Sequence, residues 1–77
     1  MSRISRYKKQ IKKLEGKITK YEEKLANVSN QFKSKQISSY SFATKKEKIS
    51  STIKAIQARI HLLQGAIVKE KHRLEKR

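Results

Sequence analysis

The chain has 77 residues, 35% of them apolar and 35% charged, a balance that excludes a thick globular core and favours one small, thin domain over residues 1–77. Its 21 Lys and Arg against six Glu give a net charge of +15, which solubility does not require and which favours an anionic partner. The absence of Cys excludes disulfides and thiolate metal sites.

The first predicted element is a helix over residues 3 to about 33. Apolar side chains recur there at alternating spacings of three and four, which matches the repeat of about 3.5 residues along the seam of a coiled coil. The a positions hold Ile4, Ile11, Ile18, Leu25 and Phe32, and the d positions hold Tyr7, Leu14, Tyr21 and Val28. We expect this helix to need a second helix along its length.

A turn is predicted over residues 34 to about 38, because the end of the first helix runs through the poor helix formers Ser29, Asn30 and Gln31. Ser38 is a favoured N-cap because its hydroxyl accepts a hydrogen bond from an orphan backbone N–H of the next helix. Ile37 and Phe42 then have the spacing of a hydrophobic staple, which fixes the angle at which the chain enters that helix.

A second helix is predicted over residues 39 to about 75. Its apolar stripe keeps the same heptad phase throughout and consists of Phe42, Ile49, Ile53, Ile56, Ile60, Leu63, Ile67 and Leu74. Two positions of the stripe are polar, Lys46 and Glu70.

The two stripes pair in one antiparallel register, in which the numbers of each two facing residues sum to 74. Phe32 then faces Phe42 across the turn, Leu14 faces Ile60, and each apolar pair places an a position beside a d position. Because one register satisfies both stripes, the sequence predicts an all-α fold in which two long helices form an antiparallel coiled-coil hairpin.

The same register places the polar positions near the ends of the seam, where Val28 faces Lys46 and Ile4 faces Glu70. We expect these ends to fray, with the long polar side chains reaching out into solvent. On helix 1 we expect Glu15, Glu22 and Glu23 to pair with Lys12, Lys20 and Lys24 along the helix.

A hairpin brings its two termini together and gathers cations from both at one end, here named the basic pole. The predicted nucleic-acid-binding residues of this pole are Arg3, Arg6, Lys8, Lys9, Lys12, Lys13, Lys69, Lys71, Arg73, Lys76 and Arg77. Such a pole contacts phosphates by charge. Helix-turn-helix spacing, zinc ligands and a basic-region zipper are missing from the sequence, so contact with DNA or RNA is expected to be independent of base sequence.

Helix 2 also carries apolar residues off the seam, whereas helix 1 has nothing comparable. They are Ala55, Ala58, Leu62, Ala66 and Val68. One interpretation is that the alanines are simply good helix formers. The other is a docking face for a larger protein or for a second copy of the chain, carried mainly by Leu62 and Val68.

Nothing in the sequence points to catalysis or to a cofactor. Asp, Cys and a Gly-rich phosphate loop are absent, and no Ser has a base and an orienting acid at suitable spacing. His61 and His72 lack nearby acidic ligands, so we expect no metal site there. The basic start leads into Lys-rich sequence, and the most apolar stretch, residues 60–68, is too short to cross a bilayer, so a cytoplasmic protein without membrane contact is expected.

In length, Lys/Ile/Ser-rich composition, charge of +15 and uninterrupted hairpin pattern, the chain resembles the small basic accessory subunits of archaeal B-family DNA polymerase holoenzymes. The resemblance implies a non-catalytic subunit that docks on the polymerase and adds positive surface for DNA during replication. Two alternatives remain open: a free-standing nucleic-acid packaging or ribosomal protein, and a coiled-coil scaffold that binds an acidic protein.

Overall fold

A computed structural model describes residues 2–76, which form two α-helices, α1 (Arg3–Lys33) and α2 (Ser39–Glu75). The helices pack against each other in an elongated molecule measuring 61 × 17 × 12 Å. This architecture confirms the predicted all-α antiparallel hairpin. The observed helix bounds coincide with those that the heptad pattern and the cap residues indicate.

Both helices begin at a serine cap. The Ser38 hydroxyl accepts a hydrogen bond from the Ser41 backbone N–H at 3.1 Å, which confirms the predicted N-cap of α2. Ser2 caps α1 in the same way, through the Ser5 backbone N–H at 3.1 Å. Each hydroxyl satisfies one of the backbone donors that the first turn of a helix leaves unpaired.

The turn after α1 is a Schellman motif in which Lys35 has a positive φ of 61°. The Gln36 N–H donates to the Gln31 carbonyl at 2.8 Å, and the Lys35 N–H donates to the Phe32 carbonyl at 3.0 Å. These bonds satisfy carbonyls at the end of α1 and reverse the chain. Glycine is the usual residue at this left-handed position, so a lysine there carries backbone strain.

Two contacts at opposite ends of the hairpin fix its register. The rings of Phe32 and Phe42 lie with their centroids 4.5 Å apart next to the turn. At the other end, Arg3 Nη1 lies 3.9 Å from Glu70 Oε2. Both contacts agree with the predicted pairing: Phe32 faces Phe42 in that register, and Arg3 is the chain neighbour of Ile4, which is predicted to face Glu70.

The seam buries little, and it is closed near the turn, whereas Leu74 at its other end is 47% exposed. Val28 and Leu63 are the buried apolar residues within residues 2–76, and the rest of the seam is mostly half-buried. The expectation of fraying at Val28 was therefore wrong. The ammonium of Lys46 lies 5.8 Å from the centroid of the Phe42 ring, so this side chain covers the seam near the turn and helps to exclude water from it.

Glu70 also departs from the expectation of a side chain extended into solvent. Its side chain is 12% exposed and accepts hydrogen bonds from the Arg73 guanidinium, one of them from Nε at 3.3 Å. A carboxylate is retained at this seam position because cations from both helices neutralise it, Arg73 on α2 and Arg3 on α1.

A candidate nucleic-acid interface

The packing of the two helices places the cations of the predicted basic pole at one end of the molecule. The ion pair between Arg3 and Glu70 shows that the start of α1 lies beside the last turns of α2. The described Lys and Arg side chains of the pole are all exposed. Arg77, also assigned to the pole, lies outside the described residues.

Within the pole, Glu70 partly neutralises two of the cations. The Arg73 guanidinium donates from Nε and Nη2 to the two carboxylate oxygens of Glu70. The hydrogen bonds and the negative charge of Glu70 raise the pKa of Arg73 above its usual value. Arg3 and Arg73 are thus committed in part to an internal contact, which lowers the charge that the pole offers to an external anion.

The ion pairs predicted along α1 do not form. Among residues 2–76, the carboxylates of Glu15, Glu22 and Glu23 have no Lys or Arg nitrogen within 4.0 Å. The prediction was wrong because an exposed Lys–Glu pair gains little Coulomb energy in water and must restrain two flexible side chains. Apart from Arg3 and Arg73, the described cations are exposed and have no carboxylate within 4.0 Å.

Three adjoining hollows run along one side of the hairpin, between α1 and α2. Leu14 and Lys17 line both the first and the second hollow, and Lys24 lines both the second and the third, so the three form one continuous groove. We name it the basic groove. Its charged lining residues are Lys13, Lys17, Lys20, Lys24, Lys45, Lys48 and Arg59. Within residues 2–76, no carboxylate lines these three hollows, and Glu47 lines a neighbouring hollow on α2 that shares Lys48 and Thr52 with them.

The heptad phase of α1 explains why the groove contains cations alone. Lys13 and Lys20 occupy c positions and Lys17 and Lys24 occupy g positions, which share one edge of the helix. Glu15 and Glu22 occupy e positions, on the opposite edge of the seam. Helix packing therefore sorts the charges of α1 onto two sides of the hairpin.

Apart from Lys13, the groove cations lie outside the predicted basic pole. A signal for them was present in the sequence, because the c and g positions of α1 repeat Lys and the e positions carry Glu. The basic pole is defined by closeness to the two termini, so it leaves out the lysines that repeat along the middle of α1. The contribution of α2, from Lys45, Lys48 and Arg59, depends on how that helix is rotated against α1.

The tyrosines offer no stacking surface in the groove. Tyr7 and Tyr21 are half-buried in the seam, where their d positions predict them to lie. The ammonium of Lys24 lies 5.1 Å from the centroid of the Tyr21 ring and so covers part of its face. Tyr40 is 82% exposed at the first turn of α2, and it lines none of the three hollows.

Ala55, Ala58, Leu62 and Ala66 share one side of α2, and of the predicted docking residues only Val68 lies elsewhere. Leu62 is 72% exposed and Val68 is 59% exposed, but a separation of six residues turns them about 120° apart around an α-helix. Ala55 and Ala58 are exposed on the side of Leu62, and Ala66 is half-buried. Leu62 lies one turn beyond Arg59 and therefore flanks the basic groove.

Neither helix, over residues 2–76, has an apolar stretch long enough to span a bilayer. The same residues bring no three His, Cys, Asp or Glu side chains together in a metal-binding arrangement. The surface is instead distinguished by two sets of cations, the basic pole and the basic groove. Compared with known proteins, the chain matches no protein-family model, no curated protein and no solved structure.

Proposed function

We propose that this chain is a non-catalytic nucleic-acid-binding protein that contacts phosphates and does not read bases. The observation that carries the proposal is the state of its cations: the described Lys and Arg side chains are all exposed, and apart from Arg3 and Arg73 none has a carboxylate within 4.0 Å. The chain thus presents a large unneutralised charge, and a polyanion that binds such a surface gains free energy because its condensed counterions are released into solution.

The absence of side chains suited to base recognition supports the same proposal. Recognition of base sequence requires a helix or ribbon that presents polar side chains to a groove edge. The exposed cations here are mostly lysines, whose single ammonium neutralises charge without the paired hydrogen bonds that an arginine makes with guanine. Affinity should therefore depend on salt and hardly on sequence.

The direct test is fluorescence anisotropy with labelled DNA duplexes across a range of salt concentrations. We expect the logarithm of the binding constant to fall linearly with the logarithm of salt concentration, with equal affinity for two unrelated sequences of one length. The absence of binding to both DNA and RNA at low salt would overturn the proposal. Polyglutamate of matched length is the control polyanion, and equal affinity for it would favour the scaffold that binds an acidic protein.

A second part of the proposal is that the chain acts as an accessory subunit on a larger nucleic-acid enzyme, such as a DNA polymerase. The observation that favours docking is Leu62, which is 72% exposed beside the basic groove. A leucine in this position gains free energy when a partner covers it. A partner held there would lie next to the cations and so next to bound nucleic acid.

Affinity purification from the native cells, followed by mass spectrometry, tests the docking. We expect a polymerase or another nucleic-acid enzyme to co-purify, and Leu62→Asp to abolish that co-purification. Val68→Asp is the matched control, because it adds the same charge on a different face of the same helix. Retention of the complex by Leu62→Asp would overturn this docking site. Tight duplex binding by the isolated protein, without a co-purifying enzyme, would favour a free-standing packaging protein.

A further inference from the structure

We infer that a nucleic-acid duplex lies lengthwise along the basic groove, parallel to the long axis of the hairpin. This inference rests on the proposed function and adds to it the path and the class of the ligand. Its starting point is a difference between the two edges of α1, because the charged residues of the edge that lines the basic groove are all lysines, whereas Glu15 and Glu22 lie on the other edge.

The charged side chains that line the groove are all positive, which suits a polyanion. Lys13, Lys17, Lys20 and Lys24 line its α1 wall, and Lys45, Lys48 and Arg59 line its α2 wall. All of them are exposed, and none is paired with a carboxylate within 4.0 Å. An acidic protein surface mixes charges with neutral and basic residues, whereas a phosphate backbone repeats one charge along its whole length. The backbone is therefore the better complement to an unbroken row of cations.

The length of the groove also suits a duplex. Its lining extends on α1 from Gln10 to Gln31, which corresponds to about 32 Å at the rise of about 1.5 Å per helical residue. One strand of B-DNA has a phosphate for each 3.4 Å or so of helix axis, so the groove spans about nine base pairs. Neighbouring cations such as Lys13 and Lys17, or Lys20 and Lys24, stand one helical turn apart, so a cation is available wherever a winding strand approaches the protein along that path.

The groove favours a duplex over a single strand because it offers no exposed ring for stacking. Proteins that bind single strands without sequence preference gain much of their affinity from bases stacked on aromatic side chains. The one aromatic residue in the groove lining, Tyr21, is half-buried, and Lys24 lies over its ring. Affinity must then come from phosphates, which a duplex presents at twice the density of one strand.

A comparison of two triple variants with the same loss of charge tests the path. The groove variant is Lys17→Gln, Lys20→Gln and Lys24→Gln. The control variant, on the opposite edge and at the pole, is Lys8→Gln, Lys12→Gln and Lys71→Gln. All six side chains are exposed, so both variants should retain the helical circular dichroism of the wild type.

We expect the groove variant to bind a 20-base-pair duplex at least about tenfold more weakly than the control variant does at low salt. Its slope of log K against log salt should be shallower than that of the wild type by about 2.7, the value for three lost phosphate contacts. Hydroxyl-radical footprinting of the wild type should protect about nine base pairs per bound molecule. The path is overturned if the two variants lose equal affinity or if the groove variant binds like the wild type.

Three comparisons on the wild type test the class of ligand. Equal or tighter binding of a single strand of the same length would overturn the assignment to a duplex. Equal affinity for polyglutamate would replace nucleic acid with an acidic protein, and equal affinity for vesicles that contain an anionic phospholipid would replace it with a membrane surface. If the wild type binds no nucleic acid at low salt, the proposed function itself fails. If the wild type binds but the two triple variants lose equal affinity, only the path along the groove fails and the proposed function stands.

Discussion

The Phe32 and Phe42 rings, with centroids 4.5 Å apart and planes inclined by 40°, join the end of α1 to the start of α2. The contact spans the turn and sets the register from which the rest of the seam follows. Because the hairpin has few buried residues, this aromatic pair should supply a large share of its stability.

The aromatic pair gives a first prediction. Phe42→Ala should lower the free energy of unfolding by about 3 kcal/mol, since it removes a large apolar side chain from the seam together with its contact to Phe32. Urea unfolding followed by circular dichroism measures the change. Tyr40→Ala is the control, because Tyr40 is 82% exposed and should alter stability by less than about 0.5 kcal/mol. Equal effects of the two substitutions would contradict the assigned register.

Adjacent leucines on α2 give a second prediction. Leu63 is buried at 9% exposure, whereas Leu62 is 72% exposed. Leu63→Ala should therefore cost about 2 to 4 kcal/mol of unfolding free energy, and Leu62→Ala less than about 0.5 kcal/mol. Thermal melts compare the stabilities of the two variants, and the chemical change, Leu to Ala, is the same in both. A larger loss of stability in Leu62→Ala than in Leu63→Ala would mean that α2 is rotated differently about its axis against α1.

The turn gives a third prediction, in the direction of greater stability. Lys35 has a φ of 61°, and replacing it with glycine should stabilise the hairpin by about 1 kcal/mol, because glycine adopts this conformation without a clash. Lys54→Gly removes the same charge from an exposed position within α2 and should destabilise by about 1 kcal/mol. The two melting temperatures should therefore move in opposite directions. A lower melting temperature for Lys35→Gly would argue against the Schellman turn.

Glu70 gives a fourth prediction, on nucleic-acid affinity. Glu70→Gln removes the carboxylate that pairs with Arg3 and Arg73 and should free both cations for phosphates. We expect a few-fold tighter binding of a duplex at low salt and a steeper dependence on salt. Glu15→Gln is the control, since it changes the net charge equally on the edge of α1 opposite the basic groove and away from Arg3 and Arg73. If both variants bind alike, net charge alone explains the gain and the local pairing has no role.

The heptad repeat was enough to predict most of the fold. Alternating spacings of three and four fix which edge of each helix is apolar, and one antiparallel register satisfies both stripes. Ser38 was predictable as a cap because short polar side chains bond the free N–H groups of a first turn. The positive φ of Lys35 was not predictable in the same way, since glycine is the usual sign of that conformation.

The charged residues were harder to place, and their pairing was predicted wrongly. Glu15, Glu22 and Glu23 lie at helical spacing from lysines but form no ion pair, because exposed pairs contribute almost nothing in water. Glu70, expected to extend into solvent, is 12% exposed and bonded to Arg73. Such contacts depend on how far a side chain is withdrawn from water, which the residue type does not reveal.

By itself, then, the sequence determined the two helices, their apolar edges and the large positive charge, because these follow from local periodicity and composition. Only the tertiary structure decided which cations of the two helices lie next to one another. The packing of α2 against α1 places Arg59, Lys48 and Lys45 across from the lysine edge of α1, and it leaves Glu15 and Glu22 on the other side. Residues far apart in the chain share a groove only after the rotation of each helix about its axis is fixed.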